Sequence, residues 1–86
     1  MASPKPRETK NASPPTPVAV RLPITVGQFV KLAGLAGSGG EAKQLVVDGE
    51  VRVNGRVETR RGHKLEPGDV VAANGLSAGV VATSRD

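Results

Sequence analysis

Five of the chain's twelve Lys and Arg residues fall between Arg52 and Lys64: Arg52, Arg56, Arg60, Arg61 and Lys64. The same stretch holds one anion, Glu58, and the single histidine, His63, which adds charge when protonated. Cations at this density neutralise phosphates, the chemistry of binding a polyanionic backbone. Catalysis has little to work with. One His without any Cys gives no nucleophile and base pair of defined spacing, and a Ser/His/Asp set could only be assembled by free choice among surface residues. One imidazole and no thiolate also make a poor transition-metal site. Gly37-Ser38-Gly39-Gly40 resembles a phosphate-cradling turn at a helix start. The Gly-Lys-Ser/Thr run that a nucleotide triphosphate loop needs is missing, so neither a cofactor nor a metal is expected.

The net charge of +4 is unevenly spread over the 86 residues. Lys5, Arg7, Lys10 and Arg21 outweigh Glu8 in the first part, the stretch from Ile24 to Gly75 is nearly neutral, and Arg85 balances Asp86 at the end. The basic stripe therefore sits on an otherwise balanced body. With no Cys, Trp or Tyr and a single Phe, a small aliphatic core must supply the stability. No apolar run suits a signal peptide or a membrane span, so a cytoplasmic protein that makes no use of membranes is expected.

Positioning of the stripe falls to a few local signals. Residues 1–17 hold five of the seven prolines and almost nothing apolar, and are expected to be a disordered basic tail. Val18 to Leu22 reads as a short edge strand ended by Pro23. Thr25-Val26-Gly27-Gln28 fits a capping box opening a helix through Val26, Phe29, Val30 and Ala33, with Gly34 as its stop. Ser38-Gly39-Gly40-Glu41 fits a second box, for a helix burying Ala42, Leu45 and Val46, projecting Lys43 and Gln44, and stopping at Gly49. Asn54-Gly55 marks a tight hairpin. A two-residue loop there leaves Val57 facing away from Val51 and Val53, so a bulge or wider loop is expected. Glu66-Pro67-Gly68-Asp69 is a turn, Val70-Val71-Ala72-Ala73 the returning strand, and residues 76–86 a flexible tail.

Taken in order, these pieces resemble the S-four RNA-binding domain, a family named after the fourth protein of the small ribosomal subunit. The resemblance runs from about Ile24 to Ala73 and rests on Gln28-Phe29-Val30-Lys31-Leu32, Ser38 with Ala42, the helix end at Gly49, Val51-Arg52-Val53-Asn54-Gly55, and Pro67-Gly68-Asp69-Val70-Val71. Within the superfamily, Gly37 to Lys43 and Glu58-Thr59-Arg60-Arg61-Gly62 look most like small stand-alone bacterial proteins of the YbcJ type. One departure is Gly39, where many family members carry an Arg that binds phosphate.

The resemblance implies an α+β fold, two short helices packed on a short, mostly antiparallel sheet, occupying residues 18–75. It implies a non-catalytic, monomeric protein that binds structured RNA, ribosomal or transfer RNA, and associates with the ribosome. Its contacts would come from cations at Lys43, Arg52, Arg56, Arg60, Arg61 and Lys64, polar groups at Gln44 and Asn54, and the turn at Ser38. A sulfur-carrier or ubiquitin-like protein, or a protein-interaction module, is the alternative. Such carriers need a terminal Gly-Gly where this chain has Ser84-Arg85-Asp86. A DNA-binding helix-turn-helix would want cations on the second helix, which sets Lys43 against Glu41 and Asp48.

Overall fold

The computed structural model describes residues 15–83, so the disorder expected for residues 1–14 lies outside the described part. Five strands form one sheet: β1 (Thr16–Val20), β2 (Arg52–Val53), β3 (Arg56–Val57), β4 (Val70–Ala73) and β5 (Leu76–Ala82). Helices α1 (Val26–Leu32) and α2 (Gly39–Val47) pack on it. The strand order is β1-β5-β4-β2-β3, antiparallel throughout except for the parallel β1–β5 pair. This is the expected α+β arrangement.

Both helices are delimited by local chemistry. Thr25 caps α1 in a complete capping box: Gln28 N donates to Thr25 Oγ1 at 3.3 Å, and Thr25 N donates to Gln28 Oε1 at 3.0 Å. The α2 box is only half formed. Glu41 N donates to Ser38 Oγ at 3.1 Å, but the Glu41 carboxylate reaches one residue further back and accepts from Gly37 N at 2.8 Å. Each helix ends in a left-handed glycine, Gly34 and Gly49, whose amide bonds back to Lys31 O and Val46 O, while the following residue bonds to Val30 O and Leu45 O. That is the Schellman arrangement, which uses carbonyls the last helical turn leaves free.

The core joins Val26, Phe29 and Val30 of α1 with Ala42 and Val46 of α2 and the inward residues Val20, Val71, Ala73, Ala78 and Val80 of the sheet. Burying an aliphatic or Phe side chain contributes about 1.5 to 3 kcal/mol. Of the three residues expected to form the buried face of α2, Ala42 and Val46 are fully buried, and Leu45 is only half-buried at the core's edge. No helix among the described residues is long and apolar enough to cross a membrane.

Three expectations need correction. The segment expected as a flexible C-terminal tail contains β5, which lies between β1 and β4 and buries Ala78 and Val80. Ser77, Ala78 and Gly79 have low strand preference, and what holds them is pairing with β4 on one side and with the distant β1 on the other. The edge strand begins at Thr16 rather than Val18, so Thr16 and Pro17 belong to the sheet; Pro17 is tolerated because β1 is an edge. The β2–β3 hairpin has no bulge. Arg52 pairs with Val57 and Val53 with Arg56, and Asn54 and Gly55, with φ of 54° and 87°, form the two-residue turn. Val57 faces outward at 49 % exposure as a result, because β3 is a two-residue edge strand with no core beneath it.

Candidate nucleic-acid interface

The segment after the hairpin is held in place by the first helix. Val26 N donates to His63 O at 2.9 Å and Gly27 N to Arg61 O at 3.1 Å, so loop carbonyls satisfy two of the amides that a helix start leaves free. Thr25 and Lys64 form an isolated β-bridge, and Leu65 N donates to Ile24 O at 2.9 Å. Gly27 permits this approach: a Cβ there would stand 3.3 Å from Arg61 Cβ. The backbone of Arg61 and Lys64 is thereby fixed to the start of α1, with Arg60 next to it in the chain, and all three side chains are exposed.

Between this segment and the hairpin lies an open groove of about 620 Å³. Asn54 and Arg56 line it from the hairpin, Glu58, Arg60 and His63 from the loop, and Val53 and Val57 supply apolar wall. Glu58 and Arg60 form an ion pair, Nε to Oε2 at 3.1 Å, reinforced by Arg60 N donating to the same oxygen at 2.9 Å. Hydrogen bonding from Arg60 holds the Glu58 carboxyl below the usual carboxylate range, and Glu58 in turn raises Arg60. The pair's stabilisation is therefore present above the ordinary carboxylate pKa and is lost as pH falls through the depressed one. Because Arg60 is exposed to solvent, which screens the charges, the pair adds little to stability.

The expected contact residues are dispersed. Asn54, Arg56 and Arg60 share the groove. Arg52 lies opposite Ala72 and Val57 in the sheet, and its Nη1 donates to Gly55 O at 3.3 Å across the hairpin turn. Lys43 and Gln44 belong to α2, which contributes nothing to the groove, and Gln44 Nε2 donates to Asp48 Oδ1 at 2.9 Å. At the Ser38 turn, Glu41 occupies the Gly37 amide and brings a negative charge to where a phosphate would sit.

Asn54 has structural work. Its Nδ2 donates to Asp69 Oδ1 at 3.0 Å, its Oδ1 accepts from Val70 N at 2.9 Å, and its backbone N donates to Val70 O at 2.7 Å, tying the hairpin to the Pro67-Gly68 turn. Asn54→Ala is expected to cost about 1 to 3 kcal/mol in urea unfolding, from lost bonds and the positive φ. Asn54→Gly, which keeps the turn, should cost less. Unchanged stability in both variants would release the side chain for a contact role.

One residue escaped the sequence reading, and another, His63, was read only for its charge. Lys31 is exposed, and its Cδ passes 3.9 Å from where a Gly39 Cβ would be, so a cation lies beside the position that lacks one. The short connection between α1 and α2 was the available signal, since it must bring the end of one helix to the start of the next. His63 is half-buried in the groove, its Nδ1 3.9 Å from Glu58 Oε1, and only the fold could pair them.

A family model described as the S4 domain matches residues 21–81. A probable ribosome maturation protein, RlbA, of Bacillus subtilis is 49 % identical over 55 residues, covering 64 % of this chain and 78 % of that one. A putative RNA-binding protein, YbcJ, of Escherichia coli is 43 % identical over 59 residues, covering 69 % and 84 %. Its solution structure, described as revealing an alfaL motif involved in RNA binding, superposes with a TM-score of 0.62 at 35 % identity, over 81 % of this chain and 91 % of that one. A tyrosine–tRNA ligase of Ruegeria pomeroyi is 41 % identical over 61 residues, only 15 % of its length.

Proposed function

The chain belongs to the S4 domain family, and from that premise we propose that it is a non-catalytic protein that binds structured RNA, ribosomal or transfer RNA. The observation that carries the reading is the set of exposed cations on this side of the hairpin and loop: Arg56 and Arg60 line the groove, and Arg61 and Lys64 sit on backbone paired to the start of α1. A rigid basic surface presents its charges in a fixed pattern, which suits a folded nucleic acid better than a flexible one. Relatives described as RNA-binding and ribosome maturation proteins support it. The one aromatic residue, Phe29, is fully buried, so stacking on splayed bases is not the source of affinity, and backbone contacts and RNA shape are. Lys31 and Lys43, on the two helices, extend the surface towards the Ser38 turn.

The test removes charge without touching the core. Arg60→Ala combined with Arg61→Ala should change stability by no more than about 0.5 kcal/mol per site. Affinity for a structured RNA should fall at least severalfold, and the slope of log affinity against log salt, about −3 to −5 for the parent, should shrink by roughly 2. A double variant that binds as well as the parent at moderate salt would mean that the stripe is solvated surface only.

A further inference from the structure

Glu58 is out of place on a phosphate-binding surface, since a carboxylate among cations repels the polyanion they attract. Its side chain is only 14 % exposed, against 74 % for Arg60. Its two oxygens are unequally engaged. Oε2 accepts from Arg60 N and Nε at 2.9 and 3.1 Å, whereas Oε1 has only Arg60 Nη2 at 3.4 Å and His63 Nδ1 at 3.9 Å. Oε1 therefore keeps acceptor capacity for a donor from outside. The groove that Glu58 lines has apolar wall at Val53 and Val57 and cationic or ionisable groups at Arg56, Arg60 and His63.

We propose that this groove takes one unpaired guanine of the bound RNA, with Glu58 Oε1, the less engaged oxygen, accepting from the N–H groups of its Watson–Crick edge. The inference deepens the RNA-binding reading and rests on it. Guanine alone among the four bases presents two adjacent donors, N1–H and the 2-amino group, on that edge. Adenine and cytosine set their amino group beside a ring-nitrogen acceptor, and uracil sets its N–H between two carbonyl oxygens, so each turns a lone pair towards the carboxylate. Guanine O6, next to its donors, meets the cationic side of the groove. Val53, on the same face of the hairpin as Arg56, packs against the base, and Arg56 and Arg60 lie within reach of its own phosphates. Recognition of this kind needs no aromatic platform, consistent with a chain whose one Phe is buried.

The probe is an RNA hairpin with the loop UUGUU, compared with the same hairpin carrying inosine or adenine at the central position, each titrated into the full chain. The guanine hairpin should bind at least about tenfold more tightly than the adenine one, with inosine, which lacks the 2-amino group, between them. Glu58→Gln should bring the guanine-to-adenine ratio to about twofold or less while affinity for the adenine hairpin is kept or raised, because a repulsive charge has gone. Equal affinity of the unaltered chain for all three hairpins overturns the guanine site and leaves RNA binding standing. No binding to any of them at low salt overturns RNA binding itself, and the site with it.

Discussion

A chain ended at Gly75 will not fold. The truncation removes β5, which supplies Ala78 and Val80 to the core and pairs with both β1 and β4. Among the described residues β1 pairs only with β5, so Val20 loses its place in the sheet, and the turn before β4 loses two bonds: Gly68 N to Val80 O and Val80 N to Asp69 O, each 2.8 Å. Each lost hydrogen bond removes about 1 kcal/mol, loss of buried Val80 about 1.5 to 3 and loss of the Ala78 methyl about 0.8. The sum exceeds what a domain this small holds in reserve, given that whole domains are stable by about 5 to 15 kcal/mol and small ones lie at the low end. Far-UV circular dichroism and amide dispersion in a proton–nitrogen correlation spectrum would read the loss. A well-dispersed spectrum from the truncated chain would show that β4 can serve as an edge and that β5 is an accessory.

Phe29→Ala should cost about 3 to 5 kcal/mol, the range for deleting a fully buried aromatic side chain. Phe29 has 0 % exposure, is the largest of the fully buried side chains, and sits in α1 among Val26 and Val30. With no other aromatic residue in the chain, no neighbour of similar size can move in to refill the cavity. Leu45→Ala is the informative comparison. Leu45 is half-buried and packed against the rim of the core, so its truncation should cost clearly less. Urea unfolding at constant salt measures both. Equal losses would mean that the core extends over α2 more evenly than its burial pattern indicates. RNA affinity in the Phe29 variant should fall in step with the unfolded fraction, unlike the arginine variants, which should lose affinity while folded.

Much of the fold was legible because its signals are short-range. Thr25 and Gln28 form their box within one helical turn, Gly34 and Gly49 stop helices through their own backbone, and Asn54-Gly55 and Pro67-Gly68 turn the chain within four residues. The cationic stripe was legible as well, because charge is a property of residue type alone. A second hairpin signal was overlooked: Asn74 and Gly75, both with positive φ, turn β4 directly into β5. Its flank of Ser77, Ala78 and Gly79 lacks the branched or aromatic residues that mark a strand.

What the order of residues could not supply were relations across distance. Whether β5 is a tail or a strand depends on β1, at the opposite end of the chain, and whether Val57 is core or surface depends on β3 being an edge. The site divides in the same way. Residue types made Arg56, Arg60 and Arg61 candidates, but helix amides bonding to the Arg61 and His63 carbonyls set the segment that carries them, and the pairing of Glu58 with Arg60 shaped the groove. Asn54 had the same standing as the arginines in sequence, and the tertiary structure gave its amide to Asp69 and Val70. Local backbone preference acts over a few residues, whereas burial and pairing are decided only when separate segments meet.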